Sequence, residues 1–313
     1  MRLWLEHVET ALPAGTLSAY MGAMSTLNGR PFRKMNGLGN DFVIFDGRAH
    51  PITVTSDEAR AIADRTTGIG CDQLIVLEPS PAGADVFMRI YNADGSQVAA
   101  CGNATRCVAR IVMQASGKSQ VAIETNAGFL TANAGEGDIV TVDMGVPRLA
   151  WNEIPLAEMF HDTRTIELQV GPIDAPLIHS PSAVNMGNPH VVFFVDDLTV
   201  VDLAKVGPML EHHPLFPERA NISLAHVVAR DQVELVVWER GAGLTKACGT
   251  AACAVVVAGV RRRLLDRVCH VHLPGGTLAI EWRADDSHVL MSGPSALEFE
   301  GEISARHLQG VAA

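Results

Sequence analysis

The chain has 313 residues, enough for one large domain or two of ordinary size with a substantial buried core. Hydrophobic residues make up 48% and charged residues 19%, the balance of a soluble globular protein, and 24 Lys and Arg against 35 Asp and Glu leave a net charge of −11 that argues against a phosphate-backbone binder. No apolar run reaches the ~18 residues that span a bilayer, and six cysteines are too few for a secreted disulfide scaffold, so free thiols in a reducing cytoplasm are expected.

Residues 1–30 carry no strand pattern and no strong caps, and Glu6, His7 and Glu9 interrupt any apolar signal core; they are expected to form a loose extension. Regular patterning begins at Pro31-Phe32-Arg33-Lys34-Met35. Asp41 to Asp46 reads as a short strand, and Val86 to Tyr91 as a second that leads into a turn at Asp94-Gly95. Cys101-Gly102-Asn103-Ala104 follows, and a helix is predicted from Asn103 to Gln114. Gly135-Glu136-Gly137-Asp138 punctuates the strand-rich stretch after it. The second part of the chain repeats this order, with strands at Val191 to Val195 and Val233 to Trp238, a turn at Gly241-Ala242-Gly243, then Cys248-Gly249-Thr250-Ala251 and a helix from Thr250 to Leu265. Cys253 to Val260 is apolar all round, as a helix buried on all sides must be, and Arg261-Arg262-Arg263 reads as its solvated, dipole-compensating end.

That order is a duplication. Gly39-Asn40-Asp41-Phe42 resembles Gly187-Asn188-Pro189-His190 at a spacing of 148, and Ala100-Cys101-Gly102-Asn103-Ala104 resembles Ala247-Cys248-Gly249-Thr250-Ala251 at 147. Tyr91-Asn92 against Trp238-Glu239, Gly128 against Gly276, and Val142-Asp143-Met144 against Val289-Leu290-Met291 keep the same order and nearly the same spacing. Two copies this long are not a solenoid. The fold class expected is α+β, with two pseudo-symmetric halves, residues 31–147 and 148–293, each a curved, mostly antiparallel sheet around one dominant helix. The tail, 294–313, is expected to return to the first half.

Cys101 and Cys248 thus occupy the same position, at the start of a helix, in both halves. Helix dipoles and free N–H groups there favour a thiolate and can also hold a carboxylate. Two thiols facing one cleft suit inversion at a Cα, which needs a base on one face, an acid on the other, and fixed donors for the developing enolate. Most free cysteines are merely small core residues; that reading is kept for Cys107 and Cys253, further along the helices, and for Cys71 and Cys269, which have no repeat partner. Zinc binding and disulfide exchange would call for paired Cys-x2-Cys or His-x3-His spacing, and neither is present. The reading is an amino-acid racemase or epimerase with a small-molecule amino-acid substrate, no cofactor, no metal, no nucleic acid and no membrane partner.

The motifs also resemble those of the diaminopimelate epimerase family across nearly all of residues 32–303. The resemblance is carried by Lys34-Met35-Asn36-Gly37-Leu38-Gly39-Asn40-Asp41-Phe42, Gly68-Ile69-Gly70-Cys71-Asp72-Gln73, Tyr91-Asn92-Ala93-Asp94-Gly95-Ser96, Met186-Gly187-Asn188-Pro189-His190, Phe216-Pro217-Glu218-Arg219-Ala220-Asn221, Glu239-Arg240-Gly241-Ala242-Gly243 and the two cysteine motifs. It implies two barrel-like halves with the site between them, and Cys101 and Cys248 as the proton-transfer pair. It further implies that Gly102, Asn103, Gly249 and Thr250 hold the reacting carboxylate. Asn40, Gln73, Asn92, Asn188, Asn221 and Arg240 would bind the substrate, and His190 and Glu239 would assist the thiols or orient the substrate amine. The implied reaction interconverts LL- and meso-diaminopimelate, in a cytoplasmic homodimer. Asn36, Ala104-Thr105 and Ala251 depart from the family pattern, and the added methyl groups at the helix starts are expected to tighten the pocket. Three other readings stay open: racemisation of another amino acid such as histidine or proline, a non-racemising isomerase on the same fold, and a silent binding protein.

Overall fold

In the computed structural model, residues 26–99 and 101–308 are described. The first run of strands is β1 (Pro31–Gly37), β2 (Asn40–Asp46), β3 (Gln73–Glu78), β4 (Val86–Asn92), β5 (Gln97–Val98), β6 (Gln120–Thr125), β7 (Gly128–Ala134) and β8 (Ile139–Asp143). A small ribbon, β9 (Gln169–Val170) with β10 (Ile178–His179), precedes the second run. That run is β11 (Ser182–Asn185), β12 (Pro189–Phe194), β13 (Asn221–Ala229), β14 (Gln232–Glu239), β15 (Gly243–Thr245), β16 (Val268–Leu273), β17 (Gly276–Trp282) and β18 (Val289–Pro294), and β19 (Ala296–Glu302) closes it by pairing with β1. The helices are α1 (Ser56–Ala63), α2 (Gly102–Ser116), α3 (Leu203–Glu211) and α4 (Gly249–Arg261).

Pairing follows the same order in both runs. β2 pairs parallel with β3 and β4 parallel with β6, just as β12 does with β13 and β14 with β16; the sequential hairpins are antiparallel. A parallel pair needs a crossover, and each crossover here contains a helix: α1, α2, α3 and α4 in turn. Antiparallel strands with one wet face alternate, as in β14, where Val233, Leu235 and Val237 are buried and Gln232 and Glu234 are not. β2 and β12 are buried on both faces, because α2 or α4 covers one side and the α1 or α3 layer the other.

The class is α+β, with curved sheets wrapped around two central helices. α2 packs on β1, β2, β6, β7 and β8, and α4 on β11, β12, β13, β16, β17 and β18. Cys253 to Ala258 are fully buried, so the all-round apolar stretch lies where it was expected. The helices begin one residue earlier than predicted, and α4 stops at Arg261, with Arg262 as its cap. Strands β8 and β18 join the two runs into one hydrogen-bonded sheet of 17 strands, and Asp143 stands opposite Leu290 in that seam.

The short helices α1 and α3 were not anticipated. They begin at residues 56 and 203, again 147 apart. α1 has a capping box, Thr55 with Glu58, but only eight residues, and α3 contains Gly207 and Pro208, which obscure a helical pattern. Residues 1–25 of the expected extension lie outside the described residues. Residues 26–30 are not loose: Leu27 is buried, and the Gly29 N–H donates to the Ile303 carbonyl at 2.8 Å.

Candidate active site

Cys101 and Cys248 are the N-cap residues of α2 and α4, both with extended backbone. The first intrahelical bonds run from Thr105 to the Cys101 carbonyl and from Ala252 to the Cys248 carbonyl, at 3.0 Å each. The N–H groups of the first turn are therefore directed at the thiols and the space beyond them. Methionine side chains pack closely beneath Gly102 and Gly249 at the two helix starts. A Cβ at Gly102 would lie 3.1 Å from Met291 Cε and 3.4 Å from Met144 Cε, and one at Gly249 would lie 2.7 Å from Met291 Sδ.

Both thiols open into one cavity of about 840 Å³. Its walls come in repeat-related pairs: Asn40 with Asn188, Gln73 with Asn221, Asn92 with Glu239, Gly102 with Gly249, and Asn103 with Thr250. Arg240 also lines it, where the first half has Ala93. Among the residues anticipated for the site, His190 alone is not in the lining. It is fully buried behind Asn188, whose Oδ1 lies 2.9 Å from His190 Nε2, and its Nδ1 has no partner. Burial, aided by the charge of Arg240, pushes the imidazole down to about 3, so it is neutral, and its side chain meets the cavity wall at Asn188.

The polar walls are held by their neighbours. Gln73 Nε2 donates to Asn92 Oδ1 at 3.0 Å, and Asn92 Nδ2 donates to Ser96 Oγ at 3.1 Å. Asn40 donates to Asp72 Oδ2 at 2.6 Å, and Asp72 is tied through Arg65 to Asp41. Arg240 donates its backbone N–H to Asn221 Oδ1 at 2.9 Å and a guanidinium N–H to the Glu218 carbonyl at 2.8 Å. Asp72, Asp94, Ser96 and Thr245 also line the cavity, although none was singled out from the sequence. Asp72 and Ser96 fall inside recognisable motifs and could have been found there. Thr245 carries no such signal; it matters only because the turn after β14 folds it back onto Glu239.

The electrostatics reverse one expectation. N–H groups of Ala104 and Asn103 do stabilise a Cys101 thiolate, but loss of solvent around the sulfur dominates, and the thiol is pushed up to about 11. Cys248 is likewise raised well above the ordinary thiol value, by burial and then by the adjacent Glu239 carboxylate, against the opposing Thr250 and Ala251 donors. Its sulfur lies 3.5 Å from Thr250 Oγ1. Burial raises Glu239 as well, opposed by hydrogen bonds from Thr245 and Cys248. Burial thus keeps both thiols protonated at neutral pH.

The departures from the family pattern do not narrow the cavity. Ala104 and Ala251 are fully buried, stand at equivalent positions, and turn their methyl groups into the core, so only their N–H groups face the sulfurs. Thr105 is also fully buried and donates its hydroxyl to the Cys101 carbonyl at 2.8 Å. Asn36 lies outside this cavity, where its Oδ1 accepts the Gly39 N–H at 2.8 Å and shapes the β1–β2 turn.

The chain matches one known family over most of its length. The family described as diaminopimelate epimerase matches residues 32–150 and 182–297. A diaminopimelate epimerase from Rhodopseudomonas palustris (strain BisB18) is 56% identical over 279 residues, 89% of this chain and 96% of its own length. One from Bradyrhizobium sp. (strain BTAi1 / ATCC BAA-1182) is 55% identical over 292 residues, 92% of this chain and 100% of its own. Among solved structures, a hydroxyproline epimerase from Agrobacterium vitis with bound trans-4-OH-L-proline shares the fold, with a TM-score of 0.62 at 15% identity over 90% of this chain and 94% of its own. The chain belongs to the diaminopimelate epimerase family, whose members are isomerases acting as amino-acid epimerases.

Proposed function

We propose that the protein interconverts LL- and meso-diaminopimelate by moving one proton at Cα between two thiols. The observation that carries this reading is the placement of Cys101 and Cys248 as caps of two repeat-related helices that open into one polar cavity. In the proposed step the thiolate of one cysteine removes the Cα proton and becomes a thiol. The other thiol delivers its proton to the opposite face and becomes a thiolate. One proton leaves carbon and one arrives, with no change of oxidation state and no cofactor.

The substrate carboxylate is assigned to the N–H groups of Gly102, Asn103, Gly249 and Thr250, where helix dipoles meet the charge that grows as the enolate forms. Because burial raises both thiols, the cation that the substrate brings is what favours a thiolate. The substrate's α-ammonium group supplies that cation, with Glu239 as the acceptor that orients it. Arg240 and Asn221, with Asn188, suit the amino-acid group at the far end of the substrate, since a guanidinium pairs well with a carboxylate. We place the enzyme in the cytoplasm as a homodimer.

The test is hydrogen exchange at Cα in deuterated water, followed for diaminopimelate, histidine and proline with the purified full chain. Exchange and inversion of diaminopimelate are expected, and either Cys101→Ser or Cys248→Ser should lower the rate by at least about 10²-fold. Exchange of another amino acid with none at diaminopimelate would overturn the substrate. Full inversion rates in either cysteine variant would overturn the mechanism.

A further inference from the structure

Arg106 is fully buried on α2, one and a half turns from Cys101, and no Asp or Glu among the described residues pairs with it. Its Nη1 donates to Asn103 Oδ1 at 3.1 Å and approaches Met291 Sδ at 3.8 Å, and its Nε donates to the Pro294 carbonyl at 3.2 Å. Nη2 is buried without any partner. A buried cation is costly unless an anion or a full set of acceptors answers it. Anchoring the turn after β18 does not require this one, because Arg110 already donates to the Ser295 carbonyl there. The second half has Cys253 at the equivalent position, so the charge breaks the symmetry between the halves.

Two relationships connect Arg106 to the chemistry. The Asn103 side chain that it holds donates to Asn40 Oδ1 and to the Ala247 carbonyl, both at 3.4 Å, and Ala247 directly precedes Cys248. The cationic head, held against Asn103 two residues past Cys101, also favours the charged form of that thiol, with Glu239 acting in the opposite direction from β14. The other titratable groups facing Arg106 are Cys107 on α2 and Cys253 on α4, both pushed up to about 12 by burial and so uncharged.

We propose that Arg106 is a positioning residue of the reacting centre, a fixed cation whose counter-charge arrives with the reaction. It places a fixed positive charge behind the start of α2, which Cys101 caps, and through Asn103 sets that helix start against Ala247, the residue before Cys248. The inference rests on the reading of Cys101 as a proton-transferring thiol.

The full chain and its Arg106→Met and Arg106→Lys variants are alkylated with iodoacetamide at one fixed pH of about 9, and the rate at each cysteine is followed by peptide mass. Arg106→Met should slow alkylation of Cys101 about tenfold at that pH and shift the rising limb of the kcat/KM profile upward by about one pH unit. Arg106→Lys keeps the charge and should keep the Cys101 rate close to the parent's. An unchanged Cys101 rate in a folded Arg106→Met protein overturns the proposal. If the methionine variant does not fold, Arg106→Gln, which keeps a donor and removes the charge, decides by the same rate. Alkylation needs no substrate, so absence of diaminopimelate exchange would defeat the function without touching this result.

Discussion

Thr245 donates its hydroxyl proton to Oε1 of Glu239, and this bond ties the one carboxylate beside Cys248 to the strand that leads into it. Glu239 stands where the first half has Asn92, so the two thiols face different charges. Glu239→Gln removes the negative charge that disfavours a Cys248 thiolate. The Cys248 alkylation midpoint is expected to fall by about one pH unit, a tenfold gain in thiolate, while epimerisation falls at least tenfold because the ammonium acceptor is lost. A higher or unmoved midpoint would contradict the assigned geometry. Thr245→Val should give the same changes at smaller size.

His190 has Phe42 as its counterpart and is neutral at every pH at which the enzyme would be assayed. His190→Phe should therefore leave the pH profile without any lost inflection near 6.5, the ordinary histidine value. Its effect should come through Asn188, freed from its 2.9 Å contact, and appear as a raised KM with kcat reduced less than tenfold. Loss of kcat by orders of magnitude would give His190 a direct role in proton transfer.

Ala104→Gly and Ala251→Gly restore the residue the family usually carries at these positions. Their methyl groups lie in the core, so KM for diaminopimelate should change less than twofold. Each glycine should cost about 1 kcal/mol, from backbone entropy and the lost buried methyl, measured by denaturant unfolding. A marked fall in KM would mean that the methyl groups do reach the substrate.

Lys34 is buried, with its ammonium 2.6 Å from Asp41, and Arg65 closes the same carboxylate from the other side. Burial opposes the Asp41 charge, but hydrogen bonds from Arg65 and Lys34 outweigh it and hold the carboxyl far below its usual range. A group depressed in this way stabilises the fold above its unfolded pKa of about 3.9, and that contribution is lost as pH falls. Asp41→Asn should cost at least about 2 kcal/mol at pH 7, because Lys34 is left buried without its anion. It should also flatten the acid limb of stability below about pH 4. Equal urea midpoints for both proteins at pH 7 would remove this pair from the account of stability.

Much of this is legible in the sequence alone. Constant spacing between Cys101 and Cys248, and between Asn40 and Asn188, placed them at equivalent positions because a duplication keeps its offset through every strand and helix. Buried strands and the all-apolar α4 announced themselves by composition. What escaped were effects of contact across long separations. Thr245 reaches Glu239 only after a turn, and Arg106 reads as an ordinary helix cation until the strand β18 closes over it. The thiols were misjudged for a related reason: a helix start is visible in sequence, but the solvent stripped from it is not, and here the second effect is larger.

The β8–β18 seam carries a historical consequence. Asp143 faces Leu290, its own counterpart 147 residues on, so the strand pairs with its own duplicate. Two separate half-length chains would meet through that strand in an isologous contact, each presenting the same residues to the other. Such a pair would already bring two identical cysteines to one cleft from a gene encoding only one. In the single chain the two halves differ at Glu239, Arg240 and Arg106, each without a like residue in the opposite half, so the two sides of the cavity are chemically distinct despite the symmetric seam.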